Sequence, residues 1–243
     1  MDNPWNVVSE YFDTYTDKQN LPEGTADNIL IGWPPVVNCI NKTIPQKTGM
    51  RALDYGCGAG EFCHTLRDMG FDVTGIDSAP RMIEVAQKHG QNGITYLLGD
   101  ASVTRELPPF HAITSIMVLQ FIPAIEETIE ILVSALAPGG ILLFEVFNPV
   151  WISACLQAKI LFHNFDSLDI PTRGLLRVGG KVDVPIFVRA ADEYNGVLTG
   201  LGMKKILEDY PPFTHDYLAQ YPTKRPTSVS EYLVMGYQKP ANA

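Results

Sequence analysis

From Arg51 onward the chain alternates short apolar runs with stretches whose apolar residues recur every three or four positions, the patterns of strands and of amphipathic helices respectively. Arg51 to Tyr55 (RALDY) reads as a strand, Glu61 to Met69 as a helix stopped by Gly70, and FDVTGID as a second strand. Ser78 is placed to cap a helix starting near Pro80, whose Met82, Ile83, Val85 and Ala86 form one apolar face and which ends at Gly90. Ile94 to Leu98 is a third strand. His111 to Val118 (HAITSIMV), nearly continuous in apolar and β-branched residues, is a fourth, of the kind buried on both faces. Ile125 to Ala137 carries Ile129, Leu132, Val133 and Leu136 at helical spacing, and Pro138-Gly139-Gly140 is expected to break that helix before a fifth strand, ILLFEVF.

The second half is less regular. Residues 148–190 form a long aromatic-rich interruption. Ala191 to Leu201 then reads as helix and Met203 to Asp209 as a sixth strand. Tyr210 to Ser228 is a proline- and tyrosine-rich excursion before a last strand, Glu231 to Gln238. The alternation predicts an α/β fold, a doubly wound, mostly parallel seven-stranded sheet with helices on both faces. One domain over 1–243 is expected, with an N-terminal helical cap at 1–45. The segments 148–190 and 210–229 are expected as lid insertions, because loops on a rigid sheet are where recognition residues can vary.

Composition narrows the classes. With 243 residues, 46% hydrophobic and 19% charged, the chain can bury a full core in one large domain. Its longest apolar stretch, Ile141 to Trp151, is interrupted by Glu145, Asn148 and Pro149 and is too short to span a bilayer. The start, MDNPWNVVSE, has no basic region followed by an apolar one, so a cytoplasmic protein is expected. A net charge of −9 opposes polyanion binding, which depends on Lys and Arg neutralising phosphates, and nucleic acid is not an expected partner. The four cysteines lack the paired spacing of a zinc site. Cys57 and Cys63 flank a glycine loop beside His64, but they read as packing residues, and no metal is expected. A monomer or a homodimer fits equally.

The chemistry gathers in LDYGCGAGEF, where Gly56, Gly58 and Gly60 follow a strand and precede a helix. Glycine allows positive φ and close backbone approach, so such a loop can wrap a ligand at the carboxyl edge of the sheet. Asp77 ends the second strand 21 residues after Gly56, near the offset of an acid that accepts from ribose hydroxyls. The spacing is G-x-G-x-G rather than the G-x-G-x-x-G of dinucleotide binders. Asp54 and Glu61 bracket it, and acids there repel a pyrophosphate and favour a cationic ligand.

These residues resemble the class I S-adenosylmethionine-dependent methyltransferase family over roughly residues 51–147, and more loosely beyond. LDYGCGAGEF is similar to that family's first motif, with Tyr55 where Val, Ile or Leu is commoner. The resemblance implies that Asp54 and the loop backbone at Gly56, Cys57 and Gly58 hold the methionine moiety and that Asp77 takes the ribose hydroxyls. GIDSAPRMIEVA resembles the second motif, which implies Ser78 and Met82 near the ribose and adenine. LLGDA resembles the third, giving Asp100 the adenine amino group and Ala101 a backbone contact. In APGGILLFE, which resembles the approach to the fifth strand, the glycines are structural.

VLQFIP places Gln120 and Phe121 beside the transferred methyl in the same resemblance. Many relatives carry histidine near this point, so Gln120 is a departure that removes an imidazole base. The N-P-P-Y-like segment of amino-group methyltransferases acting on nucleobases or glutamine is replaced here by LQFI. Tyr210-Pro211-Pro212-Phe213 follows the sixth strand instead and reads as a lid or turn. Tyr11, Tyr15, Trp33, Gln120, Phe121 and Asn148 are the expected acceptor-pocket residues, in a mostly apolar site for a small organic molecule. His163 and His215 are weak candidates for a base, along with Gln120. The implied activity is methyl transfer to an oxygen or nitrogen of a small molecule. A nicotinamide-dependent oxidoreductase and a noncatalytic S-adenosylmethionine-binding module are the alternatives.

Overall fold

The structure, a computed structural model, describes residues 4–9, 21, 24–167 and 169–241. Tyr11 and Tyr15 lie outside the described residues.

A short helix α1 (Pro4–Val8) comes first. The chain then runs through α2 (Thr25–Asp27), a π-helical turn (Asn28–Gly32) and α3 (Trp33–Thr43) without a break. The expected βα alternation follows: β1 (Arg51–Tyr55), α4 (Glu61–Asp68), β2 (Asp72–Asp77), α5 (Pro80–Lys88) and β3 (Ile94–Leu98). A 3-10 turn (Ala101–Glu106) leads to β4 (Phe110–Ile116), and another (Leu119–Phe121) to α6 (Ile125–Ser134) and β5 (Leu136–Phe147). The second half holds α7 (Pro149–Gln157), β6 (Phe162–His163), β7 (Thr172–Val178), β8 (Val182–Val188), α8 (Ala191–Gly200), β9 (Lys204–Asp209), α9 (His215–Gln220) and β10 (Tyr232–Gln238).

The main sheet has seven strands in the order β3-β2-β1-β4-β5-β10-β9. The first five are parallel, and β10 runs antiparallel between β5 and β9. This is the doubly wound α/β sheet expected from the alternation, and strand order reverses between β1 and β4, where such sheets open a crevice at their carboxyl edge. Helices α3, α4 and α5 cover one face through Ile40, Phe62, Leu66, Ile83 and Ala86. On the other face α6 and α8 pack Ile129, Leu132, Tyr194 and Leu198 against Phe144 and Tyr237.

Two local expectations are corrected. Ser78 does not cap α5; its N-cap is Ala79, whose N–H donates to Asp77 Oδ1 at 2.8 Å. Asp77 can reach the amide two residues on, which is a common turn for that side chain. Pro138-Gly139-Gly140 does not separate helix from strand, because α6 stops at Ser134 and β5 begins at Leu136. The strand absorbs the glycines in a register shift against Phe110 and Ala112 of β4. The described part of 148–190, the expected insertion, holds α7 and an antiparallel sheet, β6-β7-β8. Trp151, Ile152, Cys155, Phe162, Leu176, Ile186 and Val188 give that insert its own core.

Candidate functional site

The first glycine loop leaves β1 with Gly56, Gly58 and Gly60 at φ 74°, 53° and 90°, a region that L side chains enter at a cost. The three glycines differ in what a side chain would meet. A Cβ on Gly56 would lie 2.3 Å from Val118, and one on Gly60 would lie 2.5 Å from the Tyr96 hydroxyl. A Cβ on Gly58 would meet nothing within 4 Å. Gly56 and Gly60 therefore serve packing, and Gly58 faces open space.

Asp77 ties this loop to the end of β2. Its Oδ2 accepts the Gly58 N–H at 2.9 Å, and its Oδ1 accepts that of Ala79. Burial raises its pKa, opposed by the hydrogen bonds from Ala79, Gly58 and Ser78. Asp54 lies behind the loop at 2% exposure. It accepts from Thr114 Oγ1 at 2.9 Å and from the Cys63 thiol at 3.5 Å. Burial pushes its pKa up to about 7, since these two hydrogen bonds offset only part of the desolvation. Cys57 and Cys63 are buried free thiols, and a Cβ on Gly75 would lie 2.9 Å from both sulfurs; they fill the gap between loop and strand.

Asp100 is the N-cap of the 3-10 turn, with Oδ1 accepting from both the N–H and the hydroxyl of Ser102. The Ser102 hydroxyl and amide hold its pKa below the usual range. Ala101 is buried beside Tyr55, whose phenol is raised to about 12 by burial and by the charge of Asp100. Met82 is buried with Val8, Ala79 and Val184, in a cluster to which Trp5 and Phe121 also belong. Trp5 meets the Phe121 ring edge-on at 4.7 Å, so α1 and the β7–β8 hairpin close over the end of β4.

Gln120 sits 2% exposed in the turn after β4. Its Nε2 reaches Met117 Sδ at 3.8 Å, and its Oε1 is buried without a hydrogen-bond partner among the described residues. Arg189 braces this turn by donating to the carbonyls of Ile122 and Pro123, each at 2.9 Å. The structure thus brings Gly56, Cys57, Gly58, Asp54 and Asp77 together at the crevice, with Gln120 and Phe121 at the neighbouring strand end.

Other candidates are engaged elsewhere. Asn148 caps α7 through Val150 N–H at 3.0 Å and donates to Ser230 O at 2.9 Å, so its amide is used in structure. His163 pairs with Asp183 at 3.0 Å on the insert sheet. The His215 side chain stands almost wholly in solvent. Trp33 donates its indole N–H to Asn28 Oδ1 at 2.6 Å and meets Phe62 edge-on.

That indole bond belongs to a polar cluster that sequence reading missed. Asn28 Nδ2 donates to Glu145 Oε1 at 2.8 Å. Arg225 donates to both oxygens of Glu231 at 2.9 Å and to Asp27 Oδ2. Asp27 and Glu145 are both fully buried. Burial holds the Glu145 and Glu231 pKa values well above the usual range, and the charge of Asp27 adds to both. The available signal was a single Glu inside ILLFEVF, because an acid in a strand buried on both faces needs a partner.

The family profile described as "Methyltransferase domain" matches residues 38–177, more than half of the chain. A ubiquinone biosynthesis O-methyltransferase of Xylella fastidiosa (strain 9a5c) is 34% identical over 120 residues, 47% of this chain and 48% of that protein. The chain thus matches about half the length of that relative. Among solved structures, an S-adenosylmethionine-dependent methyltransferase from Mesorhizobium loti superposes with a TM-score of 0.64 at 19% identity, covering 85% of this chain and 97% of that one. The N-methyltransferase NodS from Bradyrhizobium japonicum WM9, in complex with S-adenosylhomocysteine, gives 0.62 at 16% identity, covering 98% and 100%. At those identities the structural likeness speaks for the fold.

Proposed function

The chain belongs to the methyltransferase domain family, and from that premise we propose that it transfers the methyl group of S-adenosylmethionine to an oxygen or nitrogen of a small organic molecule. The observation that carries this reading is the joint between the glycine loop and Asp77, where a carboxylate fixes the Gly58 amide and Gly58 itself faces open space.

The residues present fit the cofactor. The two Asp77 oxygens accept the backbone N–H groups of Gly58, Ala79 and Ser78 and keep a further lone pair for a ribose hydroxyl. The open side of Gly58 admits the methionine portion, with the partly ionised Asp54 behind it favouring a positively charged group. Ala101 and Asp100 stand at the end of β3, where the adenine is placed in this reading. S-adenosylmethionine supplies, when bound, an electrophilic methyl on a sulfonium. The protein's task is to hold the acceptor atom in line at about 3–3.5 Å, and such positioning can contribute about 7–11 kcal/mol. Gln120, with an unsatisfied buried carbonyl, orients the acceptor by accepting its hydrogen. Phe121, braced by Trp5, closes the site against water.

The names of the relatives support a small-molecule acceptor, as does the net charge of −9, which disfavours a polyanion. No described helix is long and apolar enough to cross a membrane. Titration calorimetry tests the cofactor: S-adenosylmethionine and S-adenosylhomocysteine bind and NAD does not, and the reverse order would overturn the reading in favour of an oxidoreductase. Incubation with methyl-labelled cofactor and fractionated cell metabolites tests turnover; labelled S-adenosylmethionine returned unchanged from every fraction would favour a noncatalytic binding module.

A further inference from the structure

Two carboxylates, Asp27 and Glu231, hold one guanidinium, that of Arg225, where the N-terminal helices meet the ends of β5 and β10, and a third, Glu145, lies near enough for its charge to act on Glu231. The ion triad Asp27–Arg225–Glu231 accounts for one oxygen of Asp27 and both of Glu231. Glu145 comes from a different element, and only its Oε1 is met, by the Asn28 amide. Asp27 Oδ1 and Glu145 Oε2 are both buried without a hydrogen-bond partner among the described residues. Buried carboxylate oxygens are normally paired, because leaving one bare forfeits its hydration.

The surrounding chain is built to hold Glu145 there. The π-helical turn ends in Gly32, where a Cβ would stand 2.3 Å from Glu145 Oε1; only glycine leaves the carboxylate its space. Trp33 fixes Asn28, and Asn28 fixes Glu145. Single π turns inside helices occur often at functional sites. Glu145 also lies at the acceptor end of the crevice. It pairs with Ile116 of β4, and its carbonyl accepts the Met117 N–H, three residues before Gln120.

We propose that Asp27 and Glu145 form a subsite for the ammonium group of an organic amine. An ammonium carries three donors, enough in number for both bare oxygens, whereas a neutral hydroxyl carries one. A charge-assisted bond to a carboxylate is also roughly twice as strong as a neutral one. A metal ion suits the cluster less well: no group of three or more His, Cys, Asp or Glu able to hold one occurs among the described residues. Phe147, stacked between Trp151 and Tyr232 next to this cluster, offers an apolar wall for the rest of the molecule. The identification of that amine as the methyl acceptor rests on the methyl-transfer reading; the subsite itself does not.

The test measures thermal stabilisation and calorimetric binding with n-butylammonium and phenethylammonium chloride, against n-butanol, 2-phenylethanol and sodium chloride at equal ionic strength. The ammonium probes are expected to bind and the alcohols and sodium not to, with affinity for the probes falling at least ten-fold in Glu145→Gln and in Asp27→Asn. Equal binding of alcohols and amines, binding unchanged in Glu145→Gln, or no binding of either ammonium probe would each overturn the proposal. If a variant does not fold, the discrimination between amine and alcohol in the unaltered protein decides alone. S-adenosylhomocysteine binding is measured in the same samples. Its retention without ammonium binding removes only the subsite, and its loss with ammonium binding intact removes only the methyl-transfer reading.

Discussion

Gly58 and Asp77 meet through one hydrogen bond of 2.9 Å that joins the loop after β1 to the end of β2. The same carboxylate starts α5 by accepting the Ala79 amide. One side chain thus sets the shape of both walls of the crevice, and a ligand that bonds to Asp77 finds its oxygens already oriented.

Replacing Asp77 by alanine removes both ties and the acceptor for ribose hydroxyls. S-adenosylmethionine affinity is expected to fall by about 1.5–3 kcal/mol, the cost of leaving polar groups without a charged partner. Calorimetry checks this, and an unchanged affinity would contradict the role given to Asp77.

Gly58→Ala and Gly56→Ala should separate binding from folding. Each forces alanine into a left-handed conformation at a cost of about 1–2 kcal/mol. At Gly58 the new methyl meets nothing in the protein, so stability drops by that strain alone while cofactor binding weakens at least ten-fold. At Gly56 it strikes Val118, adding about 1–3 kcal/mol of overpacking. Urea denaturation and calorimetry on the two variants read both quantities.

Asp54 gives a pH dependence of defined sign. Its folded pKa, about 7, lies above the ordinary 3.8, so the native state prefers the protonated form. The stabilisation is full below pH 4 and is lost as pH rises through 7, with each unit between the two values worth about 1.4 kcal/mol. Asp77, Glu145 and Glu231 are shifted in the same direction. Denaturation at pH 5 and pH 8 should show a less stable protein at pH 8. Asp54→Asn, which can still accept from Thr114, should flatten the slope by about 2–3 kcal/mol over that interval.

Arg225→Met strips the guanidinium from two buried acids. Removing one partner of a buried ion pair typically costs about 3–5 kcal/mol, and the loss should be largest at high pH, where Glu231, held well above the usual carboxylate range by burial, ionises. Adding Asp27→Asn and Glu231→Gln to Arg225→Met should recover part of it. A single variant as stable as the parent would show that the triad does not hold the N-terminal helices to β10.

The parallel half of the fold was legible because its signals are local. RALDY and ITYLL stand as strands with the boundaries their apolar pattern predicts, and the glycine loop falls between strand and helix. The insert is less legible, although TRGLLRV and VDVPIFV alternate around Gly179-Gly180, a hairpin signature. Its aromatic content suits a recognition loop as well as it suits a core. The Asp27–Arg225–Glu231 triad was illegible for a different reason. Its members lie up to 198 positions apart, and only the return of β10 to the side of β5 brings them together. Pairing at such separation leaves no local periodicity.

That return also sets an order of events for synthesis. Until residue 238 has left the ribosome, β5 has a partner on one side only, and β9, made earlier, has none, since in the finished sheet it bonds to β10 alone. The segment ILLFEVF, almost wholly apolar, therefore waits as a bare, sticky edge while some ninety further residues emerge. Nascent chains stalled in that interval should be the species that chaperones capture and that precipitate on overexpression.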